Sequence, residues 1–161
     1  MHRRALAGRE KALGVERPHT LISVSQLGTV LERQGKYEEA EAMHRRDLVG
    51  SEKALGVEHP DTLTSMASLA STFWSQGRLK EAEDLEVRVM ETRKRVLGDE
   101  HPATLTAMNN LAFTLKSQSR NQEASMLLRT CVQMQTRVLG GQHPDTESSL
   151  ETLAEWERES I

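Results

Sequence analysis

The chain has 161 residues, 37% hydrophobic and 28% charged, with a formal charge of −3, a balance expected of a soluble chain of one domain's length and not of a nucleic-acid binder with a basic excess. Aromatic residues make up only 3%, too few for a β-sandwich or barrel core but sufficient for helices that pack Leu, Val, Ala and Met. No apolar run approaches the roughly 18 residues that cross a bilayer. Residues 1–17 hold five basic side chains without the apolar block of a signal peptide, and the single Cys131 cannot close an internal disulfide. A cytoplasmic location is expected, with protein partners and neither nucleic acid nor membrane.

The first element, MHRRALAGREKALGVERPHTL, returns from Met43 as MHRRDLVGSEKALGVEHPDTL, identical at 16 of 21 positions and displaced by 42. The displacement persists along the chain: Leu13, Leu55, Leu97 and Leu139 each precede a glycine, and Pro18, Pro60, Pro102 and Pro144 keep the step. Thr20, Thr62, Thr104 and Thr146 form a further column, as do Leu27, Leu69, Leu111 and Leu153. A period of this length marks stacked supersecondary units, none of which can bury its apolar face alone.

Within a unit, Leu63, Met66, Leu69, Ala70 and Phe73 fall on one stripe of a 3.6-residue helix. This first helix, A, is expected over about 20–34, 62–76 and 104–118, with the proline in its opening turn. It ends at "QGKY" and "QGRL", where Gly35 and Gly77 supply the positive φ of a helix-to-helix turn. The third unit has Ser119 in that place, so a looser or strained turn is expected there, with Asn121 helping. A second helix, B, is expected over about 38–55, 80–97 and 122–139, with Ala40, Ala82 and Ala124 where two backbones approach. Gly56, Gly98 and Gly140 end it, and Lys53, Arg95 and Arg137 sit at the negative end of its dipole. Met1 aligns with Met43 inside a helix B, so the chain opens on a partial unit at 1–19, followed by units 20–61, 62–103 and 104–145. The last helix, 146–161, has Glu157 in the column of Leu31, Phe73 and Leu115 and carries four further glutamates, which is the polar outer face expected of a capping helix. The array then reads as eight antiparallel helices in one all-α domain.

The pattern Val24-x2-Leu27-Gly28-x2-Leu31 followed by Ala40, repeated as Met66-x2-Leu69-Ala70-x2-Phe73 followed by Ala82, resembles the tetratricopeptide signature. Against the usual period of 34, about eight residues are added between the helix B alanine and the proline. With "KALGVEHPDTL", "RVLGDEHPATL" and "QGKYEEAE", this long form resembles the repeat of kinesin light chains and the near-identical tandem arrays of fungal NACHT or NB-ARC receptor-like proteins. The near-identity of 1–21 and 43–63 favours the receptor-type arrays. The resemblance implies a right-handed α-α superhelix with helix A lining its concave side.

No phosphate loop, dinucleotide fingerprint, zinc pair or nucleophile elbow occurs, so no cofactor, metal or catalytic residue is expected. His59, His101 and His143 precede the prolines and His2 matches His44. Columns that recur once per unit lie about 10 Å apart and cannot share an ion, so helix-start or loop-packing roles are expected for all five. Cys131, aligned with Asp47 and Val89, reads as a small core filler. On the side of helix A opposite the core stripe stand Thr106, Asn109, Asn110 and Phe113, with Lys116 and Trp74 also off the stripe. An aromatic flanked by amides can anchor a peptide, the ring supplying apolar area and the amides fixing a backbone. The competing reading packs Phe113 against the next helix A. The expected function is a protein-interaction scaffold, the partner-recognition module of a larger receptor-like or adaptor protein, which binds a protein, a peptide or another domain of its own parent chain. The alternative is an architectural or self-associating spacer.

Overall fold

A computed structural model describes residues 18–160, with side chains from Val24 onward. The partial unit expected at 1–19, its helix B and His2 lie outside the described residues or at their edge. The described residues form seven helices: α1 (Pro18–Arg33), α2 (Tyr37–Leu55), α3 (Pro60–Ser75), α4 (Leu79–Leu97), α5 (Pro102–Ser117), α6 (Asn121–Leu139) and α7 (Pro144–Glu159). Helices of 16 and 19 residues alternate, the extra turn falling in every second helix.

Each shorter helix begins at its proline, two residues before the expected threonine. Proline lacks only an amide that has no intrahelical acceptor, and in α3, α5 and α7 the preceding histidine caps the next one. His59, His101 and His143 accept through Nδ1 from the amides of Asp61, Ala103 and Asp145 at 3.1, 3.0 and 3.1 Å. An acceptor Nδ1 is unprotonated, so the ring stands in for the Ser or Asp oxygen of an ordinary N-cap. The threonine column closes the loop ahead of two of these helices, with the Thr62 and Thr104 hydroxyls donating to the Gly56 and Gly98 carbonyls at 2.7 and 2.8 Å.

The turns after α1, α3 and α5 are alike. Lys36, Arg78 and Arg120 donate back to Leu31, Phe73 and Leu115 at 2.8, 2.8 and 3.0 Å, closing the six-residue ring of a Schellman motif. Gly35 and Gly77 hold φ of 76° and 77°, and Ser119 holds 63°. Of the two outcomes expected at Ser119, a looser or a mildly strained turn, the strained one is found. The hydrogen bonds are kept and the strain is confined to one left-handed residue, while Asn121 opens α6 without a side-chain cap at its terminus.

By their packing, the described residues fall into two compact units, 18–85 and 86–160, with α4 belonging to both. In the first, α1 packs on α2 and α2 on α3. Val24, Leu27, Leu31 and Ala40 are buried with Met43 against them, and the stripe Leu63, Met66, Leu69, Ala70 and Phe73 is fully covered. In the second, α5 packs on α6 and α6 on α7, around Leu111, Ala112, Leu115, Ala124, Leu128, Val132, Leu153 and Trp156. Leu105, Met108 and Cys131 form an adjoining cluster. The leucine column is buried in α1, α3, α5 and α7, as its periodicity requires. In α7 the glutamates Glu147, Glu151, Glu155, Glu157 and Glu159 are exposed, but Trp156 is buried, a contribution to the core that the glutamate-rich sequence conceals.

Relieving the left-handed residue should stabilise the fold. Ser119→Gly is expected to raise the unfolding free energy by about 1 kcal/mol, and Gly77→Ser to lower it by a similar amount, because the cost comes from φ and not from space. Urea denaturation followed by circular dichroism measures both.

Candidate docking face

α5 buries the stripe Leu105, Met108, Leu111, Ala112 and Leu115 and turns the opposite side outward. Thr106, Asn110 and Phe113 are exposed there, with Asn109 and Lys116 half-buried beside them. The Thr106 hydroxyl is occupied by the Pro102 carbonyl at 3.1 Å. The amides of Asn109 and Asn110 have no hydrogen-bond partner among the described residues. Phe113 is 40% exposed, yet its ring stands at 77° to Trp156 of α7 with centroids 5.3 Å apart. Phe113 thus packs against the next helix A, as in the competing reading, and stays partly exposed to solvent. Lys116 is tied, its ammonium 2.7 Å from Glu159 Oε2 and 5.6 Å from the Trp156 ring centre.

Trp74, 46% exposed on α3, belongs to the first unit. Its neighbours Ser71 and Ser75 donate to Glu32 Oε1 on α1 at 3.3 and 3.5 Å. The sequence-predicted residues therefore occur as two sets, five on α5 and one on α3.

The first unit also has an open groove of about 940 Å³ whose lining includes Lys36, Tyr37, Glu41, Arg45, Gln76 and Arg78. The Arg78 guanidinium lies 4.4 Å from the Phe73 ring centre and pairs with Glu41 and Glu81. Burial would raise the Glu41 carboxyl's affinity for protons, but hydrogen bonds from Arg45 and Gln76 and the Arg78 charge outweigh it and hold that affinity below the usual carboxylate range. The signal for this network in the sequence is the arginine that follows Gly77, where the first unit has lysine.

His44 departs from the expected helix-start or loop role. It lies inside α2, fully buried, with neither ring nitrogen hydrogen-bonded. A Cβ at Gly28 would meet the ring at 2.8, 2.9 and 3.1 Å, so the imidazole rests on bare backbone. The readable signal is the column itself, which has glycine opposite His44 and alanine at 70, 112 and 154. One turn along α2, the buried Asp47 accepts from Ser65 and Ser51 at 2.6 and 3.4 Å. Burial makes the His44 ring harder to protonate and the Asp47 carboxyl easier to protonate than usual.

Cys131 occupies the core slot expected of it. Its thiol donates to the Leu105 carbonyl at 3.4 Å, and burial pushes its pKa up to about 11. Among the described residues, no group of three or more His, Cys, Asp or Glu side chains is arranged to hold a metal.

Two tetratricopeptide-repeat family profiles match the chain, one over residues 25–95 and one over 104–145. No curated protein matches it. Among solved structures, a Podosopora anserina protein designated a putative kinesin light chain with nearly identical TPR-like repeats superposes with a TM-score of 0.85 at 29% identity, over 98% of this chain and 74% of that one. A substituted variant of that protein gives 0.86 at the same identity and coverage. BtubC (BKLC) from P. vanneervenii shares the fold, with a TM-score of 0.80 at 20% identity, over 96% of this chain and 63% of that one.

Two outcomes check the buried sites. Gly28→Ala should destabilise the protein by about 1–3 kcal/mol through overpacking, and by far less in a His44→Leu background, so that a double-mutant cycle in urea shows strong coupling. The Cys131 thiol should resist a thiol reagent such as DTNB in the native protein and react at once in denaturant.

Proposed function

The chain belongs to the tetratricopeptide-repeat family, and from that premise we propose that it is the partner-recognition module of a larger receptor-like or adaptor protein acting in the cytoplasm. Tetratricopeptide repeats are protein–protein interaction scaffolds and carry no chemistry of their own. Among the described residues, no helix is long and apolar enough to cross a membrane. On this reading the repeating units are 20–61, 62–103 and 104–145, closed by a capping helix at 146–161. An array of the kind found in fungal NACHT or NB-ARC proteins accords with the near-identity of 1–21 and 43–63 and with the nearly identical repeats of the Podosopora anserina relative.

The observation that carries the proposal is Phe113. A half-exposed ring held edge-on by a buried tryptophan is an anchor whose rotamer is already fixed, so docking on it forfeits little side-chain entropy. The unpartnered amides of Asn109 and Asn110 lie along the same helix within reach of an extended backbone, which needs both a donor and an acceptor. Lys116, neutralised by Glu159, contributes shape more than charge. Trp74 offers a second aromatic on the first unit. The occupant is therefore a protein segment with an apolar residue next to exposed backbone polar groups.

A random-peptide display selection on the purified protein tests this. Peptides that bind the wild type should lose at least about tenfold in affinity, roughly 1.4 kcal/mol, on Asn110→Ala and on Phe113→Ala with helicity unchanged. Selected peptides that bind both variants as tightly as the wild type would remove α5 as the docking face.

A further inference from the structure

Glu32 stands between two sets of partners. On one side its Oε1 accepts from Ser71 and Ser75 of α3 at 3.3 and 3.5 Å, both at the long end of hydrogen-bonding range. On the other, its Oε2 lies 3.9 Å from His44 Nε2, close enough for charge attraction but too far for a hydrogen bond. His44 has no other partner for either nitrogen, although it is completely buried. A neutral imidazole always carries one N–H donor, and leaving it unpaired in a dry interior is costly. The arrangement is tolerated because Gly28 lets the ring lie flat against α1.

We propose that His44 is a proton-operated latch on the α1–α3 seam: on taking up a proton it draws the Glu32 carboxylate inward, away from Ser71 and Ser75, and releases the stretch of α3 that carries Trp74. The protonated ring has two donors and a charge, and a charge-assisted N–H···O bond closes to about 2.8 Å. Glu32 must then move about 1 Å, enough to break two hydrogen bonds already near their limit. No covalent bond changes. The proton comes from solvent past Glu32, whose side chain is 23% exposed.

The other charged groups around the ring are engaged or remote. On α2, Asp47 is held by Ser65 and Ser51, and Glu41 is bonded to Arg45, Arg78 and Gln76. Asp61, the one charged side chain of α3, is exposed at that helix's first turn. On α1, the described charged side chains are Glu32 and Arg33, and Arg33 is exposed. Burial keeps His44 neutral to below the ordinary imidazole range, against the pull of Glu32 and Asp47, so the latch acts in mildly acidic conditions. The linked stability effect has a definite sign. Below about pH 6.5 the unfolded chain takes up this proton first, so stability falls with pH until the folded ring titrates. Asp47, easier to protonate when folded, has the opposite sign and adds stability as pH falls through its raised value toward the ordinary 3.8.

The test uses the whole chain labelled with 5-fluorotryptophan, whose two ¹⁹F resonances are assigned with Trp74→Phe. Between pH 8 and 5, with helicity monitored by circular dichroism, the Trp74 resonance should titrate with a midpoint below 6.5 while that of Trp156 stays still. The titration should vanish in His44→Gln, in His44→Leu and in Glu32→Gln, two His44 replacements being used in case one fails to fold. Three results overturn the latch: a Trp74 titration that survives loss of His44, a wild-type Trp74 resonance that does not move while the helices persist, or global unfolding in place of a local shift.

Discussion

Everything in this chain depends on the close contact between a 16-residue helix and the 19-residue helix beside it. The shorter helix presents a leucine-rich stripe, and the longer one meets it at an alanine, Ala40, Ala82 or Ala124, each with no exposed surface. A larger residue there would push the backbones apart and uncover side chains whose burial is worth about 1.5–3 kcal/mol each. Neither helix hides its stripe alone, because one face of a 3.6-residue helix needs a partner. This explains why the columns that do not vary are those governing the approach. The leucines fill the seam, the alanines permit it, the His-Pro caps fix where α3, α5 and α7 begin, and the left-handed residues fix where α1, α3 and α5 turn back.

Inside that frame the buried polar columns differ from unit to unit, and they change in pairs. Position 86 on α4 is a buried glutamate bonded by the Thr114 hydroxyl on α5 at 2.9 Å. One period on, the same two columns hold Leu128 and Trp156, which share an apolar cluster. A glutamate facing tryptophan would be a buried charge without a donor, and a leucine facing threonine would leave a hydroxyl to find its bond elsewhere. The same logic joins His44 to Gly28, since an alanine like those at 70 and 112 would collide with the ring. In a chain built on one repeating frame, matched pairs of this kind give each helix a reason to pack on its own neighbour. Asp47 with Ser65 serves the same end in the first unit.

These pairings also account for what is legible in the sequence. Helix existence, order and ends are readable because proline, glycine and the leucine stripe act locally, through φ restrictions and 3.6-residue spacing. The starts fall two residues earlier than the threonine column suggests, because a histidine cap is chemically unusual even with its column in view. At Ser119 the sequence leaves a looser and a strained turn open, and the six-residue backbone bond decides for strain by holding the left-handed geometry whichever residue sits there. His44 and Trp156 escape a reading of the sequence for a common reason. The column that holds each of them is silent on its own, and the fate of a polar or aromatic side chain inside a helix pair is decided by the residue opposite.

The proposed docking face is the least legible part, because exposure on α5 is set in part by α7 and not by its own sequence alone. Phe113 is available only to the extent that Trp156 leaves it so, and Lys116 loses its free charge to Glu159, a residue 43 positions away. Exposed columns can therefore change their binding character through a substitution in the next unit, without disturbing the stripe or the caps. On the proposed reading, recognition at α5 resides in α5 and α7 together. A single exposed residue on one of them, however suggestive its chemistry, specifies a contact only after its neighbour is known.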